Sequence, residues 1–208
     1  MKNLIFSIIL LLSLNAISQI KEGAEKKIPP TDVKVTPVEN TNPGFDINNI
    51  DVNKLQINTK KYYRNTNTKK LIKISGKPHG IWINSNYVKS SGSGNNYTLD
   101  LNFCYIYFSF SNSPTNDQTV ISERIKVLNN VYKNYKIDTL EYRYVNSEKV
   151  IFLHSQGDYG TSHQVITGYY KAYSHGNIRV YAVVVEEYYN KNKKQIHEVL
   201  NGLVFIKE

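Results

Sequence analysis

The chain has a single cysteine, Cys104, among 208 residues. An intramolecular disulfide is therefore impossible, and packing and hydrogen bonds have to stabilise the fold. Cys104 lies among alternating apolar residues, where a free cysteine usually behaves as a small buried hydrophobic side chain rather than as a nucleophile. Long apolar runs are also missing after the N-terminus. The longest, residues 180–185, has the length of a strand and cannot span a membrane.

The N-terminal residues have the pattern of a bacterial secretory signal. A positively charged start precedes an almost wholly apolar run over residues 4–14. Ala16 and Ser18 then supply small residues at the positions that a signal peptidase reads, so cleavage is expected before Gln19. An uncleaved anchor helix is the alternative, but the run is about half as long as a bilayer requires. No cysteine follows it, which excludes a bacterial lipoprotein anchor. We therefore predict a signal peptide over residues 1–18 and a periplasmic or extracellular protein.

A polar leader is predicted after the signal peptide, over residues 19–58. It is rich in Asn and Thr and has only scattered apolar residues, so it cannot bury enough apolar area to offset its chain entropy. Its prolines, which favour extended backbone, are Pro29, Pro30, Pro37 and Pro43. The remaining residues, 59–208, are enough for a single domain with its own core, and no transmembrane segment is expected in the mature chain.

Acidic residues are absent from residues 59–77, which carry seven Lys or Arg side chains in a protein of net charge +9. Such a stretch can bind an anionic surface polymer or an acidic envelope protein, or it can simply be a solvated basic face. Lys69, Lys70 and Lys73 are the candidate binding residues here. An exported protein does not normally meet nucleic acid, so no nucleic-acid partner is expected.

Apolar periodicity predicts an α+β fold. Strands are expected at residues 71–75, 81–88 and 97–110, with a turn at 90–96. A helix capped by Asp117 or Thr119 follows, because apolar residues recur at helical spacing from 121 to 135. Four further strands, a helix and a last strand are expected at 139–145, 149–154, 164–174, 178–189, 191–201 and 203–206. This order favours a mostly antiparallel β-sheet with helices packed on it, as an α/β/α sandwich.

The C-terminal segment resembles the end of the PsbP-like fold. An apolar strand at residues 181–185 is followed by a polar turn, a short helix with Ile196 and Leu200, and the sequence Asn-Gly-Leu-Val-Phe at residues 201–205. The resemblance covers about the last 90 residues. It implies an antiparallel sheet between helices and a protein similar to uncharacterised bacterial secreted proteins. It also implies a binding or assembly module rather than an enzyme, with no shared catalytic residues.

Residues 154–163 are predicted to form a loop between two strands, and they contain the strongest candidates for chemistry. The candidate binding residues of this loop are His154, Asp158 and His163. A small secreted hydrolase is the alternative, with Ser155 or Ser162 as nucleophile and His154 or His163 as base. The G-x-S-x-G motif that many serine hydrolases share is absent, so a non-enzymatic binding or assembly module is the first hypothesis.

No metal or cofactor is expected. The five histidines include no closely spaced pair such as H-x-x-x-H. Glu186 and Glu187 are predicted to end a strand, where adjacent side chains point to opposite faces and cannot act together as acid and base. Several aromatic residues could line one face of the sheet, either as an exposed platform or as core beneath a helix, and the amphipathic helix favours core. They are Trp82, Tyr87, Tyr97, Tyr105, Tyr142, Tyr169 and Tyr173.

Overall fold

The computed structural model describes residues 49–113 and 115–206. The predicted signal peptide and residues 19–48 of the leader lie outside the described residues. A 3₁₀ turn at Val52–Lys54 comes first. The strands are β1 (Ile57–Tyr62), β2 (Lys70–Lys73), β3 (His79–Ile83), β4 (Lys89–Ser93), β5 (Asn96–Asp100), β6 (Tyr105–Ser111), β7 (Lys133–Val145), β8 (Glu148–Tyr159), β9 (Ser162–Tyr173), β10 (Gly176–Val185) and β11 (Leu203–Phe205). The helices are α1 (Asp117–Val131) and α2 (Glu186–Leu200).

The strands form two sheets. The larger sheet has eight strands in the order β1-β7-β8-β9-β10-β6-β5-β4, and the smaller has three in the order β11-β3-β2. β1 pairs with β7 in parallel, whereas the other neighbouring strands pair antiparallel. The predicted α+β class with a mostly antiparallel sheet is therefore confirmed. The separate small sheet was not predicted.

Both faces of the large sheet are covered. On one side, here called the α1 face, Ile121, Ile125 and Leu128 of α1 pack in one buried cluster with strand residues such as Ile151 and Leu153. The opposite side, here called the α2 face, carries α2 and the small sheet. Its buried cluster contains the strand residues that point to that side, such as Val150 and Phe152. These two layers around the sheet are the predicted α/β/α sandwich.

β8 shows how the sequence encodes this arrangement. Val150 and Phe152 belong to the cluster on the α2 face, and Ile151 and Leu153 belong to the cluster on the α1 face. Successive side chains of a strand point to opposite faces, so a strand covered on both sides is apolar at every position. Each fully buried aliphatic or aromatic side chain contributes about 1.5–3 kcal/mol.

The two helices begin in different ways. Asn116 caps α1, because its Oδ1 accepts a hydrogen bond from the Thr119 backbone N–H at 2.9 Å. The predicted caps, Asp117 and Thr119, are thus wrong by one and three residues. α2 follows β10 directly, and Glu186 and Glu187 form its first turn rather than the end of a strand, where negative charge favours the helix dipole. Among the described residues, neither helix has the length and apolar character that a membrane crossing would require.

The predicted strand over residues 97–110 is interrupted. It forms β5 and β6, which pair with each other as a hairpin. Asn102 between them has φ of +70°, and its N–H donates to the Asp100 carboxylate at 2.7 Å. Asparagine tolerates this left-handed backbone, and the Asp100 carboxylate caps the turn, so the chain reverses there instead of continuing. The predicted turn at 90–96 is also wrong for the most part, since residues 89–93 form β4.

The folded part of the chain begins before the predicted boundary at residue 59. Val52 is buried with 6% exposure, and its backbone N–H donates to Gln118 Oε1 of α1 at 2.9 Å. Ile57 starts β1, which lies at the edge of the large sheet. Val52 is thus part of the core on the α1 face, and Ile50 and Leu55 pack against it while partly exposed. A single buried apolar residue such as Val52 gives no periodic pattern in the sequence.

The small sheet contains a buried histidine and the only tryptophan. His79 on β3 is 1% exposed, and both of its ring nitrogens are buried without a hydrogen-bond partner among residues 49–113 and 115–206. Its ring lies 4.7 Å from that of Tyr173 and 5.4 Å from that of Phe205, between ring centroids. The ring centroid of Trp82, on the same strand, lies 4.4 Å from the Arg64 guanidinium. The backbone N–H of Trp82 donates to the Gly202 carbonyl at 2.8 Å.

Candidate binding cleft

Residues 154–163 do not form the predicted loop. They complete β8, make a turn at Gly160 and Thr161, and start β9. The glycine and polar residues that favoured a loop are accommodated in the strands by cross-strand pairing, such as that of Asp158 with His163. Side chains in this region therefore alternate between the two faces of the sheet.

This alternation separates the residues of the predicted hydrolase. His154 pairs with Thr167 across β9 and stacks 6.3 Å from Phe152, which places it on the α2 face. Ser155 is fully buried and is the next residue along the strand, so it points to the α1 face. In the described part of the chain, no serine hydroxyl makes a hydrogen bond to a histidine, so a nucleophile and base pair is not formed there.

Asp158 and His163 form a polar network at the end of the β8–β9 hairpin. His163 Nδ1 lies 2.6 Å from Asp158 Oδ1, and its Nε2 lies 2.8 Å from Gln156 Oε1. Asn134 donates to the other Asp158 oxygen at 2.7 Å. The hydrogen bonds from His163 and Asn134 hold the pKa of Asp158 below its usual value. The network satisfies these side chains internally, which gives it a structural role in the hairpin.

The three candidate lysines lie on or beside β2 of the small sheet. Lys69, Lys70 and Lys73 are exposed, and Lys70 Nζ donates to Ser90 Oγ at 3.1 Å. The structure does not bring these lysines together with His154. They form an exposed basic surface.

A cleft of about 280 Å³ lies between α2 and the strands β7 and β8 on the α2 face. The polar side chains that line it come from β7, β8 and α2, and its walls are aromatic. The lining residues are Tyr62, Thr139, Arg143, Phe152, His154, Tyr189, Lys193 and His197. His154 is thus the one predicted site residue that contributes to it.

The register of the strands and the anchoring of α2 set the shape of the cleft. Thr139 is paired with His154 across β7 and β8, so both side chains share a face. The C-terminal end of α2 is fixed to the sheet by the Tyr169 hydroxyl, which donates to Asn201 Oδ1 at 2.8 Å, and by Asn146, which donates to the Asn201 carbonyl at 2.8 Å.

Arg143 is held rigidly at one side of the cleft. Its guanidinium lies 3.3 Å from the centroid of the Phe152 ring and 4.9 Å from that of Tyr62. Its Nε donates to Glu141 Oε1 at 2.5 Å, and Asn58 donates to the same oxygen at 3.0 Å. Only 12% of the Arg143 side chain is exposed. Stacking and the ion pair fix the plane of the guanidinium, which limits the entropy lost when it binds a further group.

Two uncharged imidazoles line the cleft. Burial, followed by the positive charges of Arg143 and Lys193, lowers the pKa of His197 to about 4. Burial also lowers the pKa of His154, against the opposing charge of Asp138. At neutral pH each ring can both donate and accept a hydrogen bond. His154 Nδ1 is buried and has no hydrogen-bond partner in the described part of the protein.

The helix side of the cleft is formed by residues spaced four apart. The Tyr189 hydroxyl forms a hydrogen bond with His197 Nε2 at 3.1 Å, and burial raises the pKa of Tyr189 to about 12, so the hydroxyl stays protonated at neutral pH. Lys193 lies between them on the same helix face, with Nζ 5.8 Å from the Tyr189 ring centroid. Lys193 is exposed and has no carboxylate within ion-pair distance among the described residues.

Chemically, the cleft offers donors and positive charge. A metal site is not formed, since no three metal-ligating side chains converge among the described residues. The sequence analysis missed Arg143, Lys193 and His197, because they come together only when α2 packs on β7. The spacing of Tyr189, Lys193 and His197 at four residues was a usable signal, since it places them on one helix face.

No protein-family model and no curated protein matches the sequence. Similar chains occur among solved structures. A cyanobacterial PsbP from Synechocystis is 11% identical with a TM-score of 0.48, over 65% of this chain and 91% of that one. A protein of unknown function from Pseudomonas aeruginosa is 6% identical with a TM-score of 0.45, over 67% and 98%. A Bacteroides thetaiotaomicron protein is 8% identical with a TM-score of 0.45, over 63% and 46%. At these identities the likeness concerns the fold alone. The PsbP-like fold predicted from the C-terminal segment is represented among these structures.

Proposed function

We propose that this chain is an exported binding module without enzymatic activity, which binds a partner in the periplasm or outside the cell through the cleft. The observation that carries the proposal is the composition of the cleft. It combines the donors and charge of Arg143 and Lys193 with uncharged His154 and His197, and no serine nucleophile lines it. Donors and positive charge of this kind support recognition of a polar group, and the cleft lacks the serine of a Ser/His hydrolase.

Export is the part of the proposal that rests on the sequence alone. Residues 1–18 have the pattern of a secretory signal, and the mature chain would begin at Gln19. The partner would then be an envelope protein or an anionic surface polymer. The exposed lysines Lys69, Lys70 and Lys73 would provide a second, salt-sensitive contact to it.

Affinity capture from a native envelope extract tests the proposal, with residues 19–208 as bait and identification of the bound molecules. We expect capture of a defined partner to be lost in Lys193→Gln and Arg143→Gln and retained in Lys194→Gln. Lys194 is an exposed lysine next to Lys193 that does not line the cleft, so it is a matched control. Equal capture by all these variants, with their folding checked by thermal melting, would exclude the cleft as the binding site.

The second contact is tested separately. Neutralising Lys69, Lys70 and Lys73 together should weaken capture most at low salt, because exposed charges are screened as ionic strength rises. Capture that is unchanged at every salt concentration would leave the basic surface without a part in binding. Location is tested by fractionating cells that express the full chain, where recovery of uncleaved protein in the cytoplasm would contradict export.

A further inference from the structure

We infer that the cleft binds an oxyanion, a carboxylate or a phosphate, carried by a molecule of about the size of one sugar ring. This inference rests on the proposed function, because it names the chemical group that the binding site would take. It is argued from the charge, the free donors and the volume of the cleft.

Charge is the first argument. The carboxylates nearest to the cleft are already engaged: Glu141 pairs with Arg143, and Asp138 lies 3.1 Å from Lys136 Nζ. Lys193 has no such partner among the described residues. The unbalanced charge facing the cleft is therefore positive, and it attracts an anion and repels a cation.

The available donors are the second argument. A guanidinium has five N–H groups in one plane, and Glu141 accepts only from Nε of Arg143. Arg143 also donates to the Tyr169 hydroxyl. The donors that remain on its terminal nitrogens match the oxygens of a carboxylate or phosphate. On the helix side of the cleft, the exposed ammonium group of Lys193 supplies three further donors.

Volume limits the size of the ligand. The cleft of about 280 Å³ lies near the lower end of the range for small-molecule sites. This accommodates a single ring or a small acid. The aromatic faces of Phe152 and Tyr62 are turned to the Arg143 guanidinium, so they orient the cation. Recognition therefore falls to the charged and hydrogen-bonding groups.

NMR titration of the protein from residue 19 to residue 208 tests the inference, with inorganic phosphate and D-glucuronate as probes and D-glucose as the uncharged control at constant ionic strength. We expect saturable shifts of the ring resonances of His154 and His197 with an anion and none with glucose. The anion that binds more tightly decides between a phosphate and a carboxylate. Absence of a saturable shift with both anions, or an equal response to glucose, would overturn the inference.

Matched variants locate the binding. Lys193→Gln should weaken anion binding about threefold to tenfold, and Lys194→Gln should leave it unchanged. Arg143→Gln should weaken it at least tenfold, whereas Arg179→Gln, on the α1 face of the same sheet, should not. Loss of Arg143 leaves Glu141 unpaired and can affect folding. The comparison of Lys193→Gln with Lys194→Gln therefore decides whether the anion binds in the cleft. Equal affinities in the two lysine variants would place the anion elsewhere.

The two proposals can fail separately. If the simple anions do not bind but capture of the envelope partner still depends on Lys193, the oxyanion assignment is wrong and the proposed function stands. If the anions bind in the cleft but no captured partner depends on Lys193, the proposed function is wrong and the cleft remains an oxyanion site.

Discussion

His79 makes the stability of the protein depend on pH in a way that can be calculated. The ring is buried among Phe110, Tyr173 and Phe205, and burial, followed by the nearby His175, lowers its pKa to about 4 from the ordinary value of 6.5. The unfolded chain therefore binds more protons than the folded protein between these two values. Stability contributed by an uncharged His79 is fully present above pH 6.5 and is lost as the pH falls towards 4.

The two pKa values set the size of this effect. Between pH 7 and pH 5, linkage through this one group lowers the free energy of unfolding by about 2 kcal/mol. Leucine has a volume close to that of histidine and does not titrate. Between pH 7 and pH 5, we therefore expect the free energy of unfolding of His79→Leu to fall by about 2 kcal/mol less than that of the unsubstituted protein. We also expect higher stability at pH 5, because two unpartnered buried nitrogens are removed.

Urea unfolding at pH 7, 6 and 5, followed by circular dichroism, measures the difference. Ile81→Val is a suitable control, since Ile81 is fully buried two residues further along β3. The free energy of unfolding of this variant should be about 1 kcal/mol lower at every pH, and its dependence on pH should be that of the unsubstituted protein. If His79→Leu and Ile81→Val have the same dependence on pH, the burial of an uncharged His79 is not what links stability to protons, and the reasoning is refuted.

Four further outcomes are expected. Gly168→Ala should destabilise the protein by about 3 kcal/mol or more in thermal unfolding, because a Cβ there would collide with the Val180 carbonyl oxygen. Gly160→Ala should cost only about 1 kcal/mol, since the turn has open space at a φ of +60°; equal losses would contradict this account. Asn116→Ala should cost about 1 kcal/mol through loss of the α1 cap, and no change in urea midpoint would show that the cap is dispensable. Burial raises the pKa of Cys104 to about 12, so a thiol reagent at pH 8 should label it only after unfolding. Rapid labelling of the native protein would show that Cys104 is accessible.

The regular elements could be predicted where one physical pattern dominated. Apolar residues at every position of residues 180–185 indicated a strand covered on both faces, which β10 is. Helical spacing located α1, but its cap depended on a single hydrogen bond of Asn116 that composition does not reveal. The break between β5 and β6 depended on one left-handed residue, Asn102, inside an otherwise continuous alternation. Local exceptions of this kind are decided by one backbone angle, and a pattern averaged over many residues conceals them.

The candidate site was less predictable. His154 was singled out because it stood near other polar residues in sequence, but its neighbours in the cleft come from β7 and α2. Arg143 and His197 are more than 50 positions apart in the chain. Only the packing of α2 on the sheet brings them together. Asp158 and His163 were expected in a loop, but the tight β8–β9 hairpin makes them a cross-strand pair.

The position of Trp82 has a practical consequence for studying how the protein unfolds. It is the only tryptophan and belongs to the small sheet, beneath the Arg64 guanidinium, whereas the strands of that sheet contain none of the 17 tyrosines. Its fluorescence therefore reports on the small sheet, and tyrosine absorbance reports on the rest of the fold. Two transitions with the same midpoint would mean that the small sheet unfolds with the large one. A lower midpoint for tryptophan than for tyrosine would mean that the small sheet detaches first.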